Sequence, residues 1–300
     1  PTLQVIFTVL HAGGKFTSEG GYRTSGGLHG VGASVVNALS SWLKVSVCDG
    51  RDVYEMEFAQ GGKQVGKLKK TGKCSQSGSK VRFLPDPSIF SATRFSYSSI
   101  CERAQEDAFL LKGLKMTVND LREGHERHEE YHYENGLEAF IDYLHEDKHV
   151  FHQPVSFSGT ASEIRVECAF QYTDEYQENI FSFVNMVRTK DGGTHESGAR
   201  TAFTKVFNDF ARRNGLLKEK DKNFEGSDVR EGLTLVLSCS IPEHLLQFEG
   251  QTKSKLGTSE AKSAVDAIVS EKLNFFLEEN KETAFALVRK MIKASSAREA

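Results

Sequence analysis

The spacing of apolar residues predicts both helix and strand in the first part of the chain. Residues 3–10 are mostly apolar and predict a buried strand or helix. After a polar, glycine-rich stretch, apolar residues recur at helical spacing and predict one helix with a single apolar face. These residues are Val31, Val35, Val36, Leu39 and Leu43.

Strands are predicted next, where apolar and polar residues alternate with a period of two. Residues 44–48 and 53–58 alternate in this way, and Asp49-Gly50 between them is typical of a hairpin turn. Residues 80–84 predict a further strand. The pattern then predicts a helix at residues 98–111 and a strand at residues 115–119. Residues 122–132 are charged and predict an exposed turn that leads into a strand.

The pattern restarts near Glu134-Asn135-Gly136, where we place a domain boundary that separates residues 1–136 from residues 137–300. Beyond it the periodicity predicts a helix, three strands, an amphipathic helix, another strand and a long final helix without Gly or Pro. These elements are residues 137–144, 155–158, 164–171, 180–187, 196–212, 233–241 and 259–300.

Composition narrows the class of protein. The 300 residues are 38% hydrophobic and 26% charged, which is typical of a globular protein of about two domains. Because the formal net charge is −3, contact with nucleic acid would depend on a local basic patch. The five cysteines form no Cys-x-x-Cys pair, which favours reduced thiols in a cytoplasmic protein. No apolar stretch reaches the length that spans a bilayer.

Residues 26–32 are the most informative stretch, because four of the seven are glycine and a helical pattern follows directly. A backbone without Cβ atoms that leads into a helix is suited to wrapping phosphate groups with main-chain N–H groups. The glycine spacing fits neither a Walker A loop nor the GxGxxG fingerprint. We therefore expect a phosphate-binding turn of another kind, with a purely structural turn as the alternative.

Side chains suited to a nucleotide occur at two places far apart in the chain. Lys15, before the glycine turn, carries a charge that can reach phosphate, and Tyr22 is suited to lie against a purine. Gln251 and Lys253 lie in a polar loop between a strand and a long helix, from which they can reach a terminal phosphate. Taken alone, Lys15 and the loop with Gln251 and Lys253 are better explained as solvated surface positions, and Tyr22 is explained equally well as an anchor of its own loop. Together they predict a nucleotide bound between two domains.

His195 and Glu196 are residue types that can bind a metal ion or take part in acid–base catalysis. They come immediately before a strongly amphipathic helix, and no third metal ligand lies nearby in the sequence. We therefore expect a structural role for both residues and assign no metal ligand.

Four blocks of sequence, spread over nearly the whole chain, carry a resemblance in their residues, their order and their spacing. They are LHAGGKF at 10–16, SGGLHGVGASVVNAL at 25–39, DGGTHE at 191–196 and QFEGQTKSKLG at 247–257. Together they resemble the ATPase subunit of bacterial type IIA DNA topoisomerases. This family has a gyrase form and a topoisomerase IV form. Residues 108–113, 188–193 and 216–223 resemble the topoisomerase IV form more closely.

The resemblance implies a fold and an activity. Residues 1–136 would be an N-terminally truncated α/β sandwich of the GHKL (Bergerat) ATPase type, and residues 137–300 an α+β transducer domain like ribosomal protein S5 domain 2. The family implies an ATP-driven dimeric clamp that passes a DNA duplex through a double-strand break in the cytoplasm. ATP and Mg²⁺ would be its cofactors. A DNA-cleaving subunit would complete an A2B2 heterotetramer with no membrane contact.

The resemblance also implies roles for single residues. Lys15 would contact phosphate, and Tyr22 would approach the base. Gln251 and Lys253 would reach across from the transducer to the γ-phosphate. The backbone of an ATP lid would cradle the phosphates. The lid residues are Gly27, Leu28, His29, Gly30, Val31, Gly32, Ala33 and Ser34.

Other positions concern DNA and departures from the family pattern. Arg200 would face the passage for a DNA duplex, since a local positive charge attracts DNA even when the net charge is negative. Ser79, which would bond near the adenine, stands where threonine is usual. Met186 follows Asn185 where a second asparagine is usual, and Arg23 replaces a lysine.

The resemblance places the general-base glutamate, the Mg²⁺-binding asparagine and the adenine-binding aspartate upstream of Pro1. It places the metal domain for DNA cleavage beyond Ala300. We therefore expect a fragment that does not hydrolyse ATP alone, and we assign no catalytic residue within it. The intact protein would hydrolyse ATP.

Three alternatives stay open. The gyrase form would introduce negative supercoils instead of separating linked DNA circles. An ATP-driven clamp of another class, such as an Hsp90-like chaperone or a MutL-like repair protein, would share the glycine lid but not the block at 249–257. A binding module that has lost its nucleotide would bind no ATP analogue.

Overall fold

The computed structural model describes residues 1–12, 24–27 and 29–300, and the chain divides into two compact units. The first unit comprises residues 1–22 and 27–96, and the second comprises residues 23–26 and 97–300. From residue 97 to the end, the chain belongs to the second unit. The domain boundary expected between residues 136 and 137 is a different division of the chain and stays a prediction. Lys15, Tyr22, Arg23 and Leu28 lie outside the described residues.

The first unit is built on an antiparallel sheet. Its described helices are α1 (Thr2–Thr8) and α2 (Gly32–Ala38). Its strands are β1 (Ser40–Asp49), β2 (Asp52–Ala59), β3 (Gln64–Val65), β4 (Lys69–Lys73) and β5 (Ser77–Pro85). β1 pairs with β2 on one side and β5 on the other, while β3 and β4 pair with the far edge of β2. The hairpin predicted at Asp49-Gly50 is confirmed, because Cys48 pairs with Val53 across it.

The core of the first unit decides how β1 folds. Among its described residues, one buried cluster joins α1 to the β1–β2 pair; it comprises Phe7, Leu43, Val45, Met56 and Phe58. The predicted helix through Leu43 is therefore too long, since α2 ends at Ala38 and Leu43 lies in β1. Pairing on both edges and burial of alternate side chains outweigh the helical spacing there.

Two cysteines of the first unit correct the expectation that all five thiols are reduced. Cys48 and Cys74 form a disulfide with their Cα atoms 6.2 Å apart. The antiparallel pairing of β4 with β2 brings together these residues, which are 26 positions apart in the sequence. Cys101, Cys168 and Cys239 are free and buried.

The second unit surrounds a mixed sheet with helices. It begins with α3 (Tyr97–Leu110), β6 (Lys115–Asp120), β7 (Arg127–His132) and α4 (Leu137–Leu144). The sheet strands are β8 (Val155–Ala161), β9 (Ile164–Tyr172), β10 (Asn179–Val184), β11 (Val187–Arg188) and β12 (Leu233–Ser240). The remaining elements are α5 (Thr194–Arg213), α6 (Gly226–Arg230), a 3₁₀ turn at Glu243–Leu245, β13 (Phe248–Glu249), β14 (Lys255–Leu256), α7 (Ser259–Glu279) and α8 (Lys281–Glu299).

The sheet order in this unit is β11-β10-β12-β9-β8, and only β10 and β12 run parallel among these described neighbours. One face packs on α3 and α4, where Ala169 and Val236 join the buried cluster of Phe140. On the other face, the ring of Phe170 lies 5.3 Å from that of Phe203 in α5 and 5.5 Å from that of Phe276 in α7. Helices on both faces explain why β9 and β12 are almost wholly buried.

The predicted elements of the second unit are confirmed in kind, with two exceptions. The strand predicted at residues 180–187 is interrupted by a turn at Asn185 and Met186, so that β10 ends at Val184 and β11 begins at Val187. The other exception is the long final helix. It breaks at Asn280, whose side-chain Nδ2 donates to the carbonyl of Phe276 at 2.9 Å. An asparagine side chain competes in this way with the helical backbone, and α8 starts at the next residue. Across the described part of the chain, no helix has both the length and the apolar character needed to cross a membrane.

Candidate nucleotide site

The glycine turn of the first unit leads directly into α2. Gly30 has φ +60°, a left-handed conformation that glycine adopts at little cost. α2 begins at Gly32, and Val31 before it has no side chain that could cap the helix. The hydroxyl of Ser34 donates to the carbonyl of Val31 at 3.0 Å, so this hydroxyl is used within the turn itself. Phosphate binding here would depend on main-chain N–H groups.

Three other predicted positions lie near the ends of elements in the first unit. His29 is exposed, and Ala33 packs against the core beneath β1. Ser79 lies on β5 opposite Val47 of β1, and it is exposed. Its hydroxyl is therefore accessible, as a contact near a base would require.

In the second unit, Gln251 and Lys253 lie in the loop that joins β13 to β14. Gln251 is exposed, whereas the side chain of Lys253 turns back, and its Nζ donates to the carbonyl of Gly26 at 2.6 Å. Lys253 also has φ +55°, a left-handed conformation that is uncommon for a residue with a side chain. The structure thus brings the distant lysine to the residue that precedes Gly27.

The DGGTHE segment supports this loop through its backbone. The N–H of Asp191 donates to the carbonyl of Ser254 at 2.9 Å, and the N–H of Leu256 donates to the carbonyl of Gly192 at 3.0 Å. Gly193 has φ +140° and ψ −163°, and a Cβ there would lie 2.4 Å from the carbonyl oxygen of Leu256. Only glycine allows such a close approach, so this segment positions the loop.

A buried chain of polar side chains anchors the same segment. The Oγ of Ser182 lies 2.6 Å from Glu196 Oε1 and 2.6 Å from Thr189 Oγ1, which in turn lies 2.9 Å from His195 Nε2. Because a carboxylate only accepts, Ser182 donates to Glu196 and Thr189 donates to Ser182. His195 must then be the neutral tautomer with its hydrogen on Nε2, donating to Thr189.

Burial keeps His195 neutral. The residue has no exposed surface, and its Nδ1 has no hydrogen-bond partner among the described residues. Desolvation lowers the pKa of His195 to about 3. No group of three His, Cys, Asp or Glu side chains suited to a metal ion occurs among the described residues. The geometry of His195 and Glu196 is that of a structural network.

Arg200 lies two turns into α5 and is paired with carboxylates. Its Nη1 lies 2.6 Å from Glu178 Oε1, and its Nη2 lies 3.7 Å from Glu196 Oε2. Arg230 shares Glu178, at 3.0 Å. The guanidinium of Arg200 borders an open groove of about 730 Å³ along α5, where Lys205 and Arg230 are the other cationic lining residues. The arginine is thus held in place by its acidic partners at the edge of this groove.

Sequence reasoning missed one residue of this region. It gives Asn185 no role of its own, yet the Nδ2 of this residue donates to the carbonyl of Ser25, 160 positions away, at 2.9 Å. The sequence signal that could have found it is an asparagine, a residue typical of turns, inside the run predicted as one strand. The structure places Asn185 in a two-residue turn between β10 and β11, with φ above zero at both residues.

The predicted site residues fall into two groups. The first unit carries Gly27, His29, Gly30, Val31, Gly32, Ala33, Ser34 and Ser79, and the second carries Gln251, Lys253 and Arg200. Within the second unit, the structure joins Lys253 to Gly26 and connects Arg200 to the DGGTHE network through Glu196. Lys15, Tyr22 and Leu28 lie outside the described residues.

Comparison with known proteins gives a consistent result. The family model described as DNA gyrase B matches residues 136–300, more than half of the chain. The chain is 60% identical over 301 aligned residues to the B subunit of DNA topoisomerase 4 from Staphylococcus aureus strain MW2, covering 100% of the chain and 45% of that protein. The chain therefore spans less than half the length of the curated relatives that it matches.

Two solved structures share the fold along the chain. The 43K ATPase domain of Thermus thermophilus gyrase B, solved with an aminocoumarin, has a TM-score of 0.80 and 36% identity, covering 100% of the chain and 76% of that structure. The topoisomerase IV ATP-binding domain of Francisella tularensis, solved with a small-molecule inhibitor, has a TM-score of 0.77 and 25% identity, covering 99% and 78%. These similarities confirm the expected fold class, an α/β fold of the GHKL ATPase type.

Proposed function

Because this chain belongs to the DNA gyrase B family, we infer that it is part of the ATP-binding subunit of a type II DNA topoisomerase. The 60% identity over the whole chain to a topoisomerase 4 B subunit supports the topoisomerase IV form over gyrase. The complete protein would use ATP to pass one DNA duplex through a break in another and so relax or separate linked DNA. Its partners would be DNA, a second copy of itself and the DNA-cleaving protein of topoisomerase IV, in an A2B2 assembly in the cytoplasm.

The contact between Lys253 and Gly26 is the observation that carries this proposal. The ammonium of Lys253 already lies 2.6 Å from a carbonyl at the entrance to the glycine turn. A phosphate oxygen is a stronger acceptor than a neutral carbonyl, because its bond with an ammonium is assisted by charge on both sides. We propose that Lys253 binds the terminal phosphate of ATP and that Gln251, in the same loop, donates its amide to it.

The glycine turn would hold the remaining phosphates. Its N–H groups would donate to phosphate oxygens, and Lys15 would add a cation. Tyr22 and Ser79 would lie near the base. ATP supplies a γ-phosphate that is lost on hydrolysis, so contacts made to that group distinguish ATP from ADP. We propose Mg²⁺ as a further cofactor, and the described residues include no group of three His, Cys, Asp or Glu side chains that would hold it.

A role in DNA passage would fall to the groove along α5. Its lining includes the cations Arg200, Lys205 and Arg230, the carboxylate of Asp209 and several hydroxyl side chains. The cations and hydroxyls are groups that contact phosphate–sugar backbones. Since Glu178 and Glu196 offset the charge of Arg200, we expect weak contact that is sensitive to salt and independent of DNA sequence.

The full-length protein that contains this sequence, combined with its DNA-cleaving partner, tests the proposal. We expect ATP-dependent unlinking of catenated DNA circles and no introduction of negative supercoils. Negative supercoiling would assign the protein to the gyrase form. A complete lack of saturable binding of a non-hydrolysable ATP analogue would overturn the nucleotide assignment.

A substitution in the loop tests the phosphate contact itself. We expect Lys253→Ala to weaken binding of the triphosphate analogue by about 10- to 100-fold and to leave ADP binding unchanged, since a charge-assisted hydrogen bond contributes about 1.5–3 kcal/mol. Lys255→Ala is the matched control, because Lys255 lies just beyond the loop and pairs with Glu249 at 2.9 Å. Equal effects of the two substitutions would contradict a specific role for Lys253.

A further inference from the structure

Residues 24–26, which we call the strap, are bound one after another to the second unit. Thr24 forms an antiparallel bridge with Pro242, just beyond β12. The carbonyl of Ser25 accepts a hydrogen bond from Asn185. The chain leaves the second unit immediately after the strap and enters the glycine turn. The residues that directly precede Gly27 are therefore positioned by contacts within the second unit.

Asn185 is fitted to its place by both its backbone and its side chain. Its Nδ2 donates to the carbonyls of Ser25 and Ile241, both at 2.9 Å, and its Oδ1 accepts from the N–H of Ile241 at 2.8 Å. The side chain thus uses both of its donor hydrogens. Asn185 is only 7% exposed and has φ +48°, a conformation that asparagine tolerates better than most residues. Glutamine has the same amide group but is one methylene longer, so asparagine is the shortest side chain that both donates twice and accepts.

Gly26 lies directly against the Asn185 backbone. A Cβ at Gly26 would lie 2.7 Å from the carbonyl oxygen of Asn185 and 2.9 Å from Cγ2 of Val187. The glycine is therefore required for the strap to lie on the turn between β10 and β11. On its other side, the carbonyl of Gly26 accepts from Lys253. The strap is held between a fixed asparagine and a lysine on a loop.

We propose that Asn185 is a positioning residue for the nucleotide-dependent step. It fixes the strap so that the Gly26 carbonyl holds the ammonium of Lys253 at the entrance to the glycine turn. When a triphosphate binds, Lys253 exchanges this carbonyl for the terminal phosphate, and the strap loses one attachment while Asn185 keeps Ser25 in place. This inference rests on the proposed function of Lys253, because the exchange requires a phosphate in reach.

The first experiment uses the chain without nucleotide and is independent of the proposed function. Hydrogen–deuterium exchange of the peptide spanning residues 24–30 is compared in the natural sequence, Asn185→Gly and Asn185→Asp. Glycine keeps the positive φ and removes the side chain, whereas aspartate keeps the shape but cannot donate to Ser25. We expect about tenfold faster exchange in both variants, as both lose the hydrogen bond from Asn185 to the Ser25 carbonyl. Unchanged exchange in both would overturn the proposal.

The control is Ser162→Gly, which removes an exposed side chain at another residue of the second unit with positive φ, +50°. We expect normal exchange of residues 24–30 in this variant. Thermal unfolding of all variants identifies any general loss of folding. If Asn185→Gly unfolds, the aspartate variant carries the test.

The second experiment measures nucleotide affinity in the full-length protein. We expect Asn185→Asp and Asn185→Gly to weaken binding of the triphosphate analogue about 3- to 10-fold and to leave ADP binding unchanged, and we expect normal affinity in Ser162→Gly. Faster strap exchange with normal triphosphate affinity, in a protein where Lys253→Ala weakens it, would overturn the positioning role. If Lys253→Ala leaves triphosphate binding unchanged, the proposed function fails, and the exchange data alone then report on the strap.

Discussion

The sheets of the two units differ in how their faces are covered. In the first unit, β5 leaves Val81, Phe83 and Leu84 between 38% and 47% exposed. An apolar groove of about 240 Å³ lies beside Phe83. In the second unit, helices cover both faces of the sheet, and Phe170 of β9 has no exposed surface. β5 is thus exposed along nearly its whole length, whereas β9 is almost wholly buried.

This difference bears on the loop that carries Lys253. The loop is supported by backbone hydrogen bonds from the DGGTHE segment, at the start of a helix packed on the buried sheet. Side chains placed on such a scaffold hold their geometry, because close-packed cores resist deformation. The exposed apolar side chains of the first unit contribute less burial to its stability.

The largest expected effect on stability comes from replacing one phenylalanine in each sheet, which tests whether the two sheets differ in burial. We expect Phe170→Ala to lower the free energy of unfolding by about 3–5 kcal/mol and Phe83→Ala by about 1 kcal/mol or less, because only the first leaves a buried cavity. Urea unfolding can separate the two units. The single tryptophan, Trp42, lies in β1 and reports on the first unit by fluorescence, whereas circular dichroism at 222 nm reports mainly on α5, α7 and α8. Similar losses in both variants would show that the two sheets are equally covered.

A smaller effect is expected from the backbone support of the loop. Gly193→Ala places a methyl group 2.4 Å from the carbonyl of Leu256 at a backbone conformation restricted to glycine. We expect a loss of about 2–3 kcal/mol in the transition followed by circular dichroism. Gly215→Ala is the control, since it has φ +70° but no atom near the added Cβ. Its expected loss is about 1 kcal/mol. The opposite order would indicate that the loop is not held by Gly193.

The smallest expected effect concerns acid sensitivity. The pKa of His195 in the folded protein, about 3, lies below the value of about 6.5 in an unfolded chain, so the unfolded state binds the proton first as the pH falls. Stability is therefore complete above pH 6.5 and declines below it, by about 2 kcal/mol at pH 5. Burial also lowers the pKa of His145 and His152, which adds in the same direction.

His195→Gln isolates the contribution of this residue. The glutamine amide can donate to Thr189 but does not titrate, so we expect the variant to lose about 2 kcal/mol less than the natural sequence between pH 7 and pH 5. Urea unfolding at both pH values, followed by circular dichroism, measures the difference. An identical pH dependence in the two proteins would mean that folding does not lower the pKa of His195. His244→Gln, at an exposed position, serves as the control.

Much of the local structure followed from the order of residues. The turn at Asp49-Gly50, the amphipathic α5 and the apolar β12 each have a pattern that lies within one element, and the structure has all three. The glycine-rich turn was found for the same reason. Where the prediction failed, at Leu43 and Asn280, a strand pairing or a side-chain hydrogen bond outweighed the local pattern.

The sequence by itself determined the elements, the glycine turn and the blocks that identify the family, because periodicity and backbone freedom are properties of neighbouring residues. Only the tertiary structure decided that Asn185 holds Ser25 and that Lys253 reaches Gly26, 227 positions away. These contacts depend on how β10, β12 and the loop after β13 pack together. Packing is set by the shapes of many side chains at once, and no spacing in the sequence encodes it.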